Sequence, residues 1–254
     1  MSDQLELISA ELLRRKRARE SLIGFSKSII VPGSPAAGYT EEDPSTWVFK
    51  PVETDVALHH AVTMAAIEEC IRTPNGRLMI FEPPGSAKST YASAVGPAWA
   101  MGAFPGIQVL ATSYADVPIE RHSKRARQIC RSPEYVNLWE KPTMLLKGSN
   151  SIKDWELTNG SRFYCGGLEG SITSTRCDLG LIDDPVKNRE EADSETQRKK
   201  TLAEYQDTFK TRLKPGASII IIQTRWHLDD LSGSLLPEDY DGRSGWVECR
   251  DGFP

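Results

Sequence analysis

The feature that most constrains the fold is a set of short apolar runs separated by longer polar or helical segments. The run 217–224, ASIIIIQT, is uniformly apolar from Ile219 to Ile222, as expected for a parallel strand covered on both faces. Four similar β-type runs lie upstream, at 77–81, 107–114, 161–167 and 178–183. Strands that alternate with longer connections indicate a wound α/β fold, with a mostly parallel sheet flanked by helices.

Composition narrows the class of protein. The 254 residues are 39% hydrophobic and have a formal charge of −4, which suits a globular core and excludes a general basic coat for nucleic acid. The five cysteines are scattered without a C-x-x-C pair, so we expect a reducing setting rather than disulfides or a zinc module. With no apolar run near the roughly 20 residues that span a bilayer, we expect no membrane insertion.

Three segments are predicted along the chain. Residues 1–55 contain an N-terminal helix and an irregular arm, 56–228 form the core, and 229–254 form a small lid or linker. The first helix has apolar residues at helical spacing and then a basic cluster at 14–19. That cluster fits a solvated helix face, and contact with DNA or a partner subunit remains open. A second helix is predicted from Ala57 to Arg72.

The segment 81–90, FEPPGSAKST, predicts a phosphate-binding loop. It follows a strand, turns at Pro and Gly, and opens a predicted helix over 88–100, which is the setting of a phosphate cradle at a helix N-terminus. In such a loop Lys88 contacts the β and γ phosphates and Ser89 gives its hydroxyl to Mg²⁺. The loop residues that we expect to bind nucleotide are Pro84, Gly85, Ser86, Ala87, Lys88, Ser89 and Thr90.

Both glycines of the usual G-x-x-x-x-G-K-[ST] frame are missing from this loop. Glu82 occupies the first position and Ala87 the second. Gly85 is then the one residue of the turn free to adopt positive φ, and Ala87 can replace glycine only if its position holds ordinary right-handed angles.

Two further strand ends carry polar residues. In the run DLGLIDDP, an apolar strand is followed by two carboxylates. Asp183 is placed to hold Mg²⁺, and Asp184 is placed to orient the attacking water. A simple turn or helix cap is the alternative for such a pair. The run 217–224 delivers Thr224 to the same edge of the sheet. His227, with nearby acids, fits either a metal site or a loop network.

These elements and the sequence between them resemble the ATPase domain of the terminase large subunit of tailed bacteriophages. The matching stretches are PPGSAKST as a variant Walker A, GSITSTRCDLGLIDDPVKNREEAD around Walker B, and RLKPGASIIIIQTRWHLDDLSG as the coupling motif. The resemblance extends over nearly the whole chain and implies a P-loop NTPase fold of the RecA/ASCE type. Deviant Walker A loops are common in that family.

The resemblance also implies a function and its partners. The family hydrolyses ATP with Mg²⁺ to drive viral double-stranded DNA into a procapsid, in the host cell cytoplasm. Its large subunits form a homo-oligomeric ring, a pentamer, on the portal protein, and a small terminase subunit recognises the DNA. The family's C-terminal nuclease domain would begin where this sequence ends, so we expect no nuclease activity from the chain as given.

By the same resemblance, Lys88 and Ser89 have the phosphate and Mg²⁺ roles, Asp183 the Walker B role, and Thr224 lies in the coupling motif. Asp184 stands where the family often has a catalytic glutamate, one methylene longer. Arg176 is the first candidate for an arginine finger from a neighbouring subunit, and a surface salt bridge is the alternative. The other candidates are Arg125 and Arg127 for the finger, Glu190 and Glu191 as reserve acids, and His59 or His60 for the adenine base.

Two other functions remain open from the sequence. A P-loop helicase or recombination ATPase would use the same loop and acids, but no helicase DNA-contact motif is recognisable between them. The second possible function is that of an assembly module whose phosphate loop is degenerate, because Glu82 and Ala87 replace the glycines. The basic segment 121–131 fits phosphate contacts with DNA or a subunit contact.

Overall fold

A computed structural model describes residues 2–31, 50–51, 56–149, 151–170, 172, 175–245 and 247–250. Its central feature is a six-stranded sheet. The strands of that sheet are β3 (Arg77–Phe81), β4 (Gln108–Ser113), β5 (Asp154–Glu156), β6 (Arg162–Gly167), β7 (Cys177–Asp183) and β8 (Leu213–Gln223). A separate antiparallel pair joins β1 (Ile30–Val31) to β2 (Lys50–Pro51).

The order of strands in the sheet is β3-β8-β7-β4-β6-β5. All neighbours are parallel except the edge pair β5 and β6. The late strand β8 lies between β3 and β7, and Ile222 is in register with both Ile80 and Asp183. The predicted α/β fold with a mostly parallel sheet is therefore confirmed, and the carboxyl ends of β3, β8 and β7 are adjacent.

Helices flank this sheet. Before the sheet come α1 (Ser2–Glu20), α2 (Leu22–Ser26) and α3 (Leu58–Arg72). After β3, the short α4 (Lys88–Thr90), a π-helical turn (Tyr91–Val95) and α5 (Gly96–Ala103) follow without a break, which confirms the helix predicted over 88–100. The remaining helices are α6 (Asp116–Arg131), α7 (Pro133–Val136), α8 (Arg189–Asp193), α9 (Glu195–Ala203) and α10 (Leu231–Leu235), with a π-helical turn (Glu204–Phe209) and a 3₁₀ turn (Lys210–Arg212) after α9.

The hydrophobic core lies on both faces of the sheet. Along β8, Ile220 and Ile222 belong to one buried cluster, while Ile219 and Ile221 belong to a second. Side chains alternate between faces along a strand, so a strand covered on both faces must be apolar at every position. This explains the uninterrupted isoleucine run.

The N-terminal helices pack on the first cluster through the last turn of α1 and through α2. Ala18, Leu22 and Phe25 are fully buried in it, whereas Leu5 and Leu12 are each 61% exposed. The proposed division at 55/56 and 228/229 stays a prediction, and most of the predicted arm (32–49 and 52–55) and residues 251–254 lie outside the described residues. Among the helices described, none has the length and apolar character that a bilayer crossing requires.

Candidate nucleotide site

The predicted phosphate loop connects the end of β3 to the start of α4. Gly85 has φ 83°, as predicted. Ala87 has φ 63° and ψ 14°, so the condition of right-handed angles is not met, and Gly85 is not the one residue of the turn with positive φ. The chain needs a left-handed residue immediately before Lys88, where the usual frame has glycine, and an L-residue with a Cβ holds that conformation at a cost of about 1–2 kcal/mol. Ala87 thus adopts the left-handed backbone conformation that the second glycine of the usual frame provides.

Asp183 is the centre of the polar contacts around this loop. It ends β7 and is only 3% exposed. Ser89 Oγ donates to its Oδ1 at 2.9 Å, and Ser93 Oγ donates to its Oδ2 at 2.6 Å. Burial raises the pKa of Asp183, while the two hydroxyls and the charge of Lys88 oppose that rise. The residues predicted as Mg²⁺ ligands, Ser89 and Asp183, are therefore in direct contact.

Lys88 lies close to both acids. Its side chain is 7% exposed, and its positive charge acts to lower the pKa of Asp183 and of Asp184. A lysine at the first position of a helix adds its charge to the positive end of the helix dipole. The arrangement favours an anion beside Lys88.

Asp184 connects the ends of three strands. Its φ is 46°, its N–H donates to the carbonyl of Ile222 at 2.8 Å, and its carbonyl accepts from the N–H of Tyr114 at 3.2 Å. Its carboxylate Oδ1 accepts from the N–H of Thr224 at 3.2 Å. Burial, and then the neighbouring charge of Asp183, raise the pKa of Asp184. The structure therefore brings Asp184 and Thr224 together, as their strand ends predict.

Thr224 also contacts the loop. Its Oγ1 donates to the carbonyl of Glu82 at 3.2 Å. One residue after β8 thus bonds to the first residue of the loop through its side chain and to Asp184 through its backbone.

Two residues at the site were not found from the sequence. Ser93 is fully buried against Asp183. It lies four residues after Ser89, and because residues i and i+4 share a helix face, this spacing could have predicted that both hydroxyls face Asp183. His122, on α6, has Nε2 at 3.6 Å from Asp183 Oδ2. Burial, reinforced by the charge of Arg125, lowers the pKa of His122 to about 4, so this ring is neutral at pH 7.

Arg176 is not part of the site within this chain. It is exposed and directly precedes β7, whereas Asp183 ends that strand. Seven residues of strand separate them by about 20 Å. Arg127 Nη2 donates to the Ser149 carbonyl at 2.7 Å, away from the acids, and Arg125 lies near His122. The arginine finger remains a prediction, and Arg176 can serve only from a neighbouring subunit.

The reserve acids have a local role. Asn188 caps α8 by accepting from the N–H of Glu191 at 3.0 Å, and Glu191 Oε2 accepts from the N–H of Lys187 at 3.0 Å. Such reciprocal bonds satisfy the free N–H groups of a helix start. Glu190 is exposed on the same helix. Capping therefore accounts for Glu191 without a catalytic role.

The histidines have partners within the chain. His60 Nε2 donates to the Ser86 carbonyl at 2.9 Å, so His60 contacts the loop backbone. Near His227, Asp230 accepts from Arg225 Nε at 2.6 Å and caps α10, which fits the loop-network interpretation. Across the residues that the structure describes, no group of three or more His, Cys, Asp or Glu side chains is arranged to hold a metal ion.

Comparisons with known proteins bear on the family and the fold. A family model described as "Terminase large subunit, T4likevirus-type, N-terminal" matches residues 79–247. Among solved structures, the large terminase of the HK97 bacteriophage superposes with a TM-score of 0.54 at 13% identity, over 88% of this chain. That level of identity shows a shared fold alone. No curated protein matches this sequence.

The solved relative is the longer protein, because the matched region covers only 45% of the HK97 chain. The family match, in contrast, takes in more than half of the present sequence and includes the loop from Phe81, both acids and β8. The chain therefore belongs to the terminase large subunit family and corresponds to its N-terminal region.

Proposed function

We propose that this chain hydrolyses ATP and that the hydrolysis drives viral double-stranded DNA into a procapsid. The observation that supports this most directly is the 2.9 Å hydrogen bond between Ser89 and Asp183, residues 94 positions apart. It joins the end of the phosphate loop to the strand-end acid. A nucleotide enzyme uses this pair to hold a phosphate-bound metal ion.

The donor atoms at this point fit Mg²⁺. They are a hydroxyl and a carboxylate, which are hard oxygen ligands, and Mg²⁺ is typically held by one or two protein oxygens with phosphates and water completing its shell. The lack of a three-residue ligand cluster in the described chain agrees with that mode. Ser89 and Asp183 would hold the ion, which supplies charge neutralisation on the phosphates.

The side chains around the loop have distinct roles in this proposal. Lys88, nearly buried at the start of α4, contacts the β and γ phosphates, and the backbone of 84–90 surrounds them. Asp184 accepts the proton of the attacking water. Its raised pKa makes it a stronger base than an exposed aspartate.

The hydrogen bonds of Asp184 bear on how an aspartate, one methylene shorter than glutamate, can act on the attacking water. The Thr224 N–H holds Oδ1, which fixes the carboxylate and leaves Oδ2 for the water. The bond from Thr224 Oγ1 to Glu82 ties this acid to the phosphate loop. We infer that a shift in the loop on hydrolysis is transmitted through Thr224 to β8, as a coupling residue requires.

The partners follow from the family. In this proposal the chain acts in a homo-oligomeric ring, a pentamer, on the portal protein, with the small terminase subunit and viral DNA. It acts in the host cytoplasm and docks transiently on the procapsid. The position of Arg176, far from the acids of its own chain, suits insertion into the site of a neighbour.

ATP turnover by the purified chain with Mg²⁺ tests the proposal. Lys88→Ala is expected to lose nucleotide binding, and Asp184→Asn to bind nucleotide but lose turnover, because Asn cannot accept the proton. Lys141→Ala, at an exposed lysine, is the matched control. A wild-type chain that binds ATP without hydrolysing it would favour the assembly module, and full turnover by Lys88→Ala would refute the assignment of the loop.

A further inference from the structure

Glu82 places a carboxylate where phosphate loops usually have their first glycine. Its Oε1 accepts from Thr63 Oγ1 at 2.5 Å. Thr63 lies on α3 and is only 8% exposed, so its hydroxyl is part of the packed surface of that helix. The direction of the Glu82 side chain is therefore fixed from α3.

The same helix also holds the other end of the turn. His60, one helical turn before Thr63, donates to the Ser86 carbonyl at 2.9 Å. Residues three apart share a helix face, so α3 presents both side chains to the loop. With Thr224 bonded to the Glu82 carbonyl, both ends of the turn are bonded to elements outside it.

The orientation of Glu82 matters because the loop must receive a polyphosphate. A carboxylate turned into the cradle would repel the phosphates and compete with them for Lys88. Glu82 Oε1 is bonded to Thr63, and Oε2 is buried without a hydrogen-bond partner among the described residues, so neither oxygen is paired with Lys88. The charge of Lys88 therefore stays available to the nucleotide.

We propose that Thr63 is a positioning residue that holds the Glu82 carboxylate away from the phosphate cradle, so that the loop binds nucleotide without its first glycine. This inference rests on the proposed ATPase function. It adds a residue on α3, outside the loop and the strand-end acids, to the requirements for ATP binding.

Thr63→Val tests it, because valine keeps the shape of threonine and removes the hydroxyl. Freed from its donor, the carboxylate can approach the phosphates, and we expect the Kd for a fluorescent ATP analogue to rise about tenfold. KM should rise with little change in kcat, and the deficit should shrink as salt screens the charges. Thr63→Ser, which retains the hydroxyl, should bind like wild type.

Two further variants separate charge from packing. Thr73→Val makes the same change just beyond the far end of α3, where the hydroxyl bonds only to the Glu69 carbonyl, and should leave the Kd unchanged. Glu82→Gln keeps the acceptor and removes the charge. Alone it should bind within about twofold of wild type, and combined with Thr63→Val it should restore the affinity.

Each outcome bears on the inference. If wild type binds the analogue and Thr63→Val binds it equally well, the role of Thr63 is refuted while the ATPase proposal stands. If wild type binds no nucleotide, the ATPase proposal fails and this inference fails with it. Should Thr63→Val not fold, Glu82→Gln decides: a large loss of affinity there would mean that the carboxylate itself assists binding, which overturns the inference.

Discussion

Replacing Ser93 by alanine tests whether Asp183 is held as a charged group. Ser93 is fully buried, and its hydroxyl donates to Asp183 Oδ2 at 2.6 Å. A hydrogen bond to a charged acceptor contributes about 1.5–3 kcal/mol. For a chain of this size, at about 2–4 °C per kcal/mol, that loss lowers the melting temperature by about 3–12 °C.

Ser26→Ala provides the matched control. Ser26 is also fully buried, but its hydroxyl donates to a neutral acceptor, the Ile23 carbonyl, at 2.9 Å. A bond of that kind contributes about 1 kcal/mol. We therefore expect Ser93→Ala to reduce the free energy of unfolding in urea about twice as much as Ser26→Ala.

The two variants should also differ in their dependence on pH. Burial raises the pKa of Asp183 above its unfolded value, so the stability contributed by this carboxyl is present at low pH and is lost as pH rises through the folded pKa. The Ser93 hydroxyl opposes that loss because it favours the charged form. The difference in stability between Ser93→Ala and wild type should thus widen as pH rises through the folded pKa of Asp183, while the difference between Ser26→Ala and wild type stays constant. Equal, pH-independent losses for both variants would refute a charge-assisted bond.

Three further predictions concern the trans arginine, the sheet and the buried histidine. Mixing Arg176→Ala with Asp184→Asn protein should restore some ATP turnover, because one type of mixed interface pairs an intact arginine with an intact acid; no rescue at ring-forming concentrations would exclude Arg176. Gly180→Ala should destabilise the fold by about 1–3 kcal/mol in urea, since its Cβ would lie 2.7 Å from the Phe209 ring; an unchanged midpoint would contradict this packing. The folded pKa of His122, about 4, lies below its unfolded value of 6.5, so the free energy of unfolding should fall by about 3 kcal/mol as pH drops from 6.5 to 4. His122→Asn should remove this pH dependence. An NMR titration of His122 with a pKa near 6.5 would refute the prediction.

Much of the fold follows from the sequence because burial on both faces leaves a periodic signal. The strand predicted over 77–81 matches β3, and the run from Ile219 to Ile222 predicts the centre of β8. β8 begins earlier than this run, at Leu213. Its first residues include Lys214, Pro215 and Gly216, which lie at the less buried end of the strand, where apolar residues are not required. The short edge strand β5 was missed, since three residues carry no readable period.

The site was predictable from the loop motif, which identified Lys88 and Ser89, and from the strand ends. Asp183, Asp184 and Thr224 meet because parallel strands end at one edge. His122 approaches Asp183 through helix packing, which spacing along the chain does not reveal. The left-handed angles of Ala87 could not be read from the sequence, because propensity disfavours a left-handed alanine, whereas the turn into α4 imposes one.

The π-helical turn at Tyr91–Val95 has an evolutionary consequence. A π-helical turn holds one residue more than the α-helix around it, so a one-residue deletion there closes it into a regular α-helix and leaves the downstream register in place. A one-residue deletion at the start of α5 would instead rotate the residues after it by about 100° about the helix axis. Because α5 is buried at every residue from Gly96 to Gly102, Ser89 would then keep its place while Trp99, fully buried, would be turned out of its pocket. Descendants of this sequence can therefore lose a residue from Tyr91–Val95 far more readily than from α5.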